Sequence, residues 1–426
     1  MTERNICPLV CLALWLGFPA AFAAPADAEK LIALAREHPD SAELASAIRD
    51  AFPAAEIAKG TAVAEQGPDF FFAIESASEP QIVIDEDAPA PVAPLDSGKL
   101  HFYIASLATS RTHNFHYLID GASFGGKFNV IAYGPESYLH PGVKTGHLTE
   151  KRVHTSTIYP GMQSVFWIYT PAEYDPKTPA AVMIWQDGEA QVERDGPSRS
   201  LNVIDNLTAG KQIPVIVHIF ISPGTMNGKR MRSIEYDTVS DRYVRFLLEE
   251  ILPLVAREYN LRTDAYSRAI AGESSGGICA FNAAWFRPDA FSRVISRVGS
   301  FTSIQWEKEA QEGGNDYPFK VRREAKRNIR VWLQDGFNDL ENQFGSWPLQ
   351  NIEMANSLKY RGYDFHLSFS NNAHGRTPGF AEDAEELTWL WRGYDASKTS
   401  EEFQMDPAEK DLPYYRVRLA ERSPEK

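Results

Sequence analysis

The residues in this chain best suited to covalent chemistry lie in Arg268-Ala269-Ile270-Ala271-Gly272-Glu273-Ser274-Ser275-Gly276-Gly277. An apolar strand end runs into Gly-x-Ser-x-Gly, and Ile278 to Ala284 continues as a helix rich in small residues. The turn of such an elbow is too tight for side chains two places before and after the serine, so glycine stands at both. The Ser274 hydroxyl is thereby held clear of the backbone. A helix N-terminus beneath it offers free N–H groups and a partial positive charge, which favour a developing oxyanion. The bare pattern arises by chance often enough that its weight comes from the flanking strand and helix and from the residues downstream.

A serine hydroxyl is a poor nucleophile until a base takes its proton, and the base needs a third group to fix its tautomer. On a sheet that carries an elbow of this kind the chain order is serine, acid, histidine. Of the ten histidines only His366 and His374 follow Ser274. His366 sits inside Phe365-His366-Leu367-Ser368-Phe369 and reads as a strand residue turned away from the apolar side. His374 falls just past that strand beside Gly375, where loops at the carboxyl ends of parallel strands build sites. The acid should follow the preceding strand, in Gln334-Asp335-Gly336-Phe337-Asn338-Asp339. Asp335 beside Gly336 reads as turn chemistry, so Asp339 is the favoured partner of His374, with Asp335 and Glu341 in reserve. The oxyanion hole should combine the Ser275 N–H with one from the loop after Trp185, where Gly188 permits the turn and Gly188 or Glu189 donates. Arg232, Glu235 and Tyr236 form a polar cluster ahead of a long helix. It is either a local ion pair at a helix entry or a place where Arg232 or Tyr236 lines the substrate cleft.

Five stretches must carry these groups. Residues 1–23 read as a cleaved export signal: Arg4 precedes the apolar run Ile6 to Phe18, and Ala21-Phe22-Ala23 ends it with small residues. Residues 24–58 read as helical, with Leu31, Ile32, Leu34 and Ala35 and then Leu44, Ala47 and Ile48 at helical spacing around Pro39. Residues 59–152 change to short aromatic and β-branched runs separated by turns, which argues for a small β-sandwich. Residues 153–397 alternate continuous apolar strands with helices, including a long amphipathic helix over Arg242–Tyr259. That pattern predicts an α/β domain with a mostly parallel sheet covered on both faces. Residues 398–426 turn polar and read as a tail or a loosely docked extension.

Composition narrows the function classes. The chain has 426 residues, 43% hydrophobic and 23% charged, so it has material for two domains. A net charge of −14 without a basic run disfavours nucleic acid and anionic membrane surfaces as partners. The apolar run at the N-terminus is too short for a spanning helix, so no stable membrane insertion is expected after cleavage. Loss of Cys7 and Cys11 with the signal leaves Cys279 alone, without an intramolecular disulfide or a thiolate metal site. No cofactor is called for.

The chain resembles the esterase family of α/β-hydrolases that includes enterobactin esterase, S-formylglutathione hydrolase, feruloyl esterase domains and mycolyltransferases. The matching residues are Trp185-Gln186-Asp187-Gly188, Arg232-Ser233-Ile234-Glu235-Tyr236-Asp237, Phe246-Leu247-Leu248-Glu249-Glu250-Ile251-Leu252-Pro253, the elbow itself, Arg287-Pro288-Asp289-Ala290-Phe291, Gly336-Phe337-Asn338-Asp339 and Ala373-His374-Gly375. They cover about residues 156–395. The resemblance implies an α/β-hydrolase fold with Ser274 as nucleophile, Asp339 as acid and His374 as base. The enterobactin-esterase branch also carries an N-terminal β-sandwich, the role that residues 60–150 would fill. Gln-Asp-Gly after Trp185 departs from the His-Gly many hydrolases use, and Val298 stands where many relatives carry serine. The expected function is an exported serine esterase acting on a small-molecule or glycan-linked ester. The alternatives are an acyltransferase with the same triad and a non-catalytic glycan- or peptide-binding protein, in which Phe102, Tyr103, Phe115 and Tyr117 would be stacking residues.

Overall fold

The computed structural model describes residues 25–95 and 98–417; the expected export signal and the last residues of the polar extension lie outside them. Helices α1 (Pro25–Glu37), α2 (Ala42–Ala51) and α3 (Ala54–Ala58) come first. Pro39 falls in the break between α1 and α2, and the Ser41 hydroxyl caps α2 by accepting from the Leu44 N–H. Their apolar stripes do not pack on each other alone. Leu31, Leu44 and Ile48 close on Phe71, Leu100 and Phe102 from the sheet that follows.

Eight strands over residues 62–132 form two antiparallel four-stranded sheets. They are β1 (Ala62–Gln66), β2 (Asp69–Glu75), β3 (Gln81–Ile84), β4 (Ala90–Pro91), β5 (Ala93–Leu95), β6 (Leu100–Ser106), β7 (Arg111–Ile119) and β8 (Ala122–Ala132). One sheet has the order β1-β2-β6-β5 and the other β4-β3-β7-β8. Between them lie Phe70, Phe72, Ile82, Phe115, Tyr117 and Val130, while the opposite face of β2 and β6 is covered by the helices. Phe102, Phe115 and Tyr117 are therefore core side chains, which removes them as stacking residues for a glycan.

The second layer system is one 11-stranded sheet with the path β15-β14-β11-β13-β12-β16-β17-β18-β21. In chain order its strands are β9 (His147–Leu148), β10 (Arg152–Thr155), β11 (Gln163–Thr170), β12 (Ala181–Gln186), β13 (Ile216–Ile221), β14 (Thr225–Met226), β15 (Lys229–Arg230), β16 (Arg268–Glu273), β17 (Arg293–Arg297) and β18 (Arg330–Asn338). A small hairpin β19 (Glu341–Asn342) and β20 (Gly345–Ser346) precedes β21 (Asp364–Ala373). From β13 to β21 every neighbouring pair is parallel. The central strands read as unbroken apolar runs because both faces are covered. On one face lie α6 (Arg242–Phe246), α7 (Leu252–Val255), α8 (Ser275–Phe286), α9 (Tyr317–Arg323) and α10 (Trp347–Tyr360), preceded in the chain by the short α5 (Arg232–Tyr236). On the other lie α4 (Ser200–Ala209) and α11 (Thr377–Trp391).

Two expectations need correcting. The helix over 242–259 is interrupted by a π-turn at Leu247–Ile251, where the Leu252 N–H donates five residues back to the Leu247 carbonyl. Pro253 has no N–H to continue the ordinary ladder, so the chain resets there. The polar extension is seated on the α/β domain as far as Tyr415 rather than hanging as a free tail. Phe403 is buried among Tyr266, Arg293 and Arg330, a short α12 (Pro407–Asp411) follows, and Asn356 bonds both backbone groups of Tyr415.

Candidate active site

The elbow is formed where β16, between β12 and β17, hands over to α8. Ser274 has φ 59° and ψ −122°, a conformation that costs a residue with a Cβ about 1–3 kcal/mol and persists only where the surroundings over-determine it. Here they do. The Ser274 N–H donates to the Arg297 carbonyl at 2.8 Å, and its own carbonyl accepts from Gly277 and Ser300 at 2.9 and 3.0 Å. A Cβ on Gly272 would lie 2.3 Å from the Gly276 carbonyl oxygen, so the first glycine of the motif is dictated by close approach of backbone to backbone.

Facing the Ser274 hydroxyl is His374, just past the end of β21. Its Nε2 lies 3.0 Å from Ser274 Oγ, and its Nδ1 lies 2.5 Å from Asp339 Oδ1. The sequence-predicted serine, histidine and aspartate are therefore brought into one hydrogen-bonded line, although the histidine and serine are 100 residues apart in the chain. The Asp339 side chain is fully buried, and the Leu340 N–H also donates to its Oδ1. Burial acts to raise the Asp339 carboxyl, but hydrogen bonds from His374 and Asp335 outweigh it and hold it below the ordinary value. Asp335 goes the other way. Burial and the neighbouring Asp339 carboxylate push it well above the usual range, so of the two carboxyls it keeps its proton to the higher pH. Glu341, the other reserve, is exposed on the β19–β20 hairpin.

Ser275 opens α8, where the first N–H groups of a helix have no carbonyl one turn back to bond. The loop after β12 differs from expectation. Asp187 (φ 52°), not Gly188, takes the left-handed backbone. Gly188 is needed for another reason: a Cβ there would lie 2.5 Å from the Ile221 N and 2.6 Å from Phe220 Cα in β13. Glu189 accepts from Ser222 at 2.6 Å and pairs with Arg230 at 3.1 Å. Arg232 forms a two-pronged ion pair with the buried Asp187 and reaches the Glu273 carbonyl, while part of its side chain lines the cleft above Ser274. Its partner is thus a residue 45 positions away rather than Glu235. Tyr236 does not line the cleft. It is wholly buried with its ring against Tyr243, because α5 turns that face toward α8 and the core.

Several site residues carried no signal in the sequence. The cleft, about 450 Å³, is walled by Val298, Ile304, Leu340, Phe344 and Trp347 on its apolar side and by Arg230, Arg232 and Arg376 among its polar residues. Val298 has φ 41°, an uncommon state for a β-branched residue, and the strain lies one strand-end away from the elbow. Ser300 Oγ is 3.4 Å from Ser274 Oγ and accepts from the Trp347 indole N–H, whose ring meets the His374 imidazole edge to face. Glu273, directly before the serine, pairs with Arg376, two residues after the histidine, at 2.6 Å. Of these, the sequence flags Arg232 as a cleft candidate and Val298 as a departure, and Glu273 could have been suspected as a carboxylate inside the motif. His366 sits on β21 stacked on Trp332, in keeping with a strand position.

A mostly parallel sheet that presents a glycine-flanked serine between strand and helix, with acid and histidine on later strand ends, is the α/β-hydrolase fold. The chain belongs to the esterase family whose model is described as "Putative esterase"; the match covers residues 160–383, more than half of the sequence. It is 23% identical over 242 residues to the iron(III) enterobactin esterase of Dickeya dadantii, across 56% of this chain and 54% of that enzyme. It thus spans about half the length of that curated relative. The ferric enterobactin esterase of Salmonella typhimurium superposes with a TM-score of 0.53 at 15% identity, covering 77% of this chain and 95% of that one. The enterobactin esterase of Shigella flexneri, crystallised with enterobactin, gives 0.51 at 14% identity over 76% and 93%. Both share the fold.

Proposed function

We propose that this chain is an exported serine hydrolase that cleaves carboxylic esters through an acyl-enzyme. The observation that carries the reading is the unbroken line Ser274–His374–Asp339 at 3.0 and 2.5 Å. His374 Nε2 removes the hydroxyl proton as Ser274 Oγ attacks the ester carbonyl, while Asp339, ionised and buried, holds the Nδ1–H and stabilises the imidazolium. The Ser275 N–H and a second N–H from Gly188 or Glu189 would hold the carbonyl oxygen as it becomes negative. His374 then protonates the leaving alcohol. Water, deprotonated by the same imidazole, releases the acid and restores Ser274.

The apolar wall of Val298, Ile304, Leu340, Phe344 and Trp347 favours an ester with an aromatic or bulky aliphatic group. Esters of the kind named for the relatives, such as enterobactin, are the first substrates to try. Labelling with a fluorophosphonate tests the chemistry directly. An adduct on Ser274, lost in Ser274→Ala, is expected, and folded protein that takes up no label would refute the proposal. Turnover of a panel of p-nitrophenyl, feruloyl, acetyl-glycan and siderophore esters then defines the substrate. Export, to the periplasm or the medium, rests on residues 1–23 and is tested by N-terminal sequencing of the protein from both fractions, which should begin near Ala24.

A further inference from the structure

β21 is the edge strand of the large sheet: one side pairs with β18, and among the described residues no strand pairs with the other. The last residues before His374 therefore present backbone groups that need partners. The β-sandwich supplies them with side chains. Asn129 on β8 donates from Nδ2 to the Ala373 carbonyl at 2.8 Å and accepts at Oδ1 from the Ala373 N–H at 3.0 Å. Its amide thus mimics one residue of a neighbouring strand, immediately before the histidine. Asn114 on β7 donates to the Asn371 carbonyl at 2.6 Å, and Thr112 donates to the Asn372 side chain at 2.6 Å.

The sandwich is shaped for this contact. The β7–β8 ladder slips between His113 and Phe115 and again between Phe115 and Tyr117, placing Asn114 and Asn129 in irregular stretches rather than regular register. Such bulges re-aim side chains. Asn129 adopts φ 56°, and its N–H donates to Asn114 Oδ1 at 2.8 Å. The Asn114 N–H in turn donates to Asp85, whose other oxygen holds His113. A chain of fixed groups therefore runs from β3–β7 to the residue that precedes His374.

From this geometry we infer that the β-sandwich is a working part of the active site, with Asn129 as a positioning residue that sets the His374 imidazole against Ser274. This rests on the serine-hydrolase reading above. The sandwich acts through the histidine loop and need not touch substrate.

Asn129→Gly gives a clean test, because glycine takes the left-handed backbone without strain and only the amide is lost. Turnover of a p-nitrophenyl ester is expected to fall roughly 10- to 100-fold in kcat, the scale of an ångström-sized misplacement. KM should stay within about twofold, since no substrate contact is removed. The low-field proton signal of the His374–Asp339 pair should broaden or vanish, a readout independent of turnover. Asn114→Ala, one step further from the histidine, should show the same pattern at smaller size and serves if Asn129→Gly folds poorly. Parental kcat and an intact low-field signal in either folded variant would overturn the inference. An inactive, unlabelled parent protein would instead overturn the hydrolase reading itself.

Discussion

The two halves of the reacting pair are held in opposite ways. Ser274 is fixed by its own motif and the strand end beside it: Gly272, Gly276 and Gly277 allow the turn, and the Ser274 backbone is bonded to Gly277 and to Arg297 and Ser300 at and just past the end of β17. His374 is fixed from far away in the sequence, by Asn129 on its preceding residue, by Asp339 on its ring and by the Arg376–Glu273 ion pair behind it. The nucleophile thus has its strain built into one short motif. The base hangs on an edge strand, so its position depends on what the rest of the molecule packs beside it. One centre can therefore lose activity by two routes, a local break of the elbow or a remote loosening of the loop.

The largest expected effect removes the nucleophile. Ser274→Ala should lower kcat about 10⁴-fold or more with an unchanged melting temperature, measured by ester turnover and calorimetry. Next is Gly272→Ala, which tests whether the elbow is as locally determined as it looks. Its Cβ would meet the Gly276 carbonyl at 2.3 Å, so a loss of about 3 kcal/mol in denaturant unfolding is expected along with most turnover. Retention of full stability would show that the elbow relaxes and break the contrast. Arg376→Ala cuts the tie between the two halves and leaves Glu273 buried without its partner. A roughly tenfold fall in kcat is expected in steady-state kinetics, smaller than for the elbow because Asn129 still holds the loop.

The smallest effect concerns stability and its pH dependence. Asp335 in the folded protein titrates well above the ~3.9 of an unfolded chain. Above that pH the unfolded state has released a proton that the folded state still holds, so stability falls as pH rises until the folded carboxyl itself ionises. Asp335→Asn has no such proton and can still accept from the Gly336 N–H while donating to Asp339. The variant should gain about 1 kcal/mol over the parent near pH 8, and the gain should shrink toward pH 4. A gain independent of pH would mean that Asp335 is not the protonated partner.

Much of the architecture was legible in the chain. Continuous apolar runs at Ala181–Gln186 and Ile216–Ile221 gave buried parallel strands, and short aromatic runs between residues 62 and 132 gave the sandwich. Periodicity over Arg242–Tyr259 predicts one smooth helix because it does not report how Pro253 resets a hydrogen-bond ladder. The polarity of Tyr236 suggests a cleft, but only packing says which way α5 faces, and it faces the core. The roles of Asn129, Trp347 and Arg376 were invisible, since asparagine, tryptophan and arginine at those positions have no spacing relation to the elbow.

The sequence by itself determined that there is an elbow, that its serine stands on a strained turn, and that an acid and a histidine follow on later strand ends. These are consequences of backbone sterics and of strand–helix alternation, both of which act over a few residues. Tertiary structure alone decided that Arg232 answers to Asp187, that Tyr236 turns into the core, and that a separate β-sandwich grips the residue before His374. Those choices depend on which surfaces meet when distant segments pack, and no local pattern encodes them.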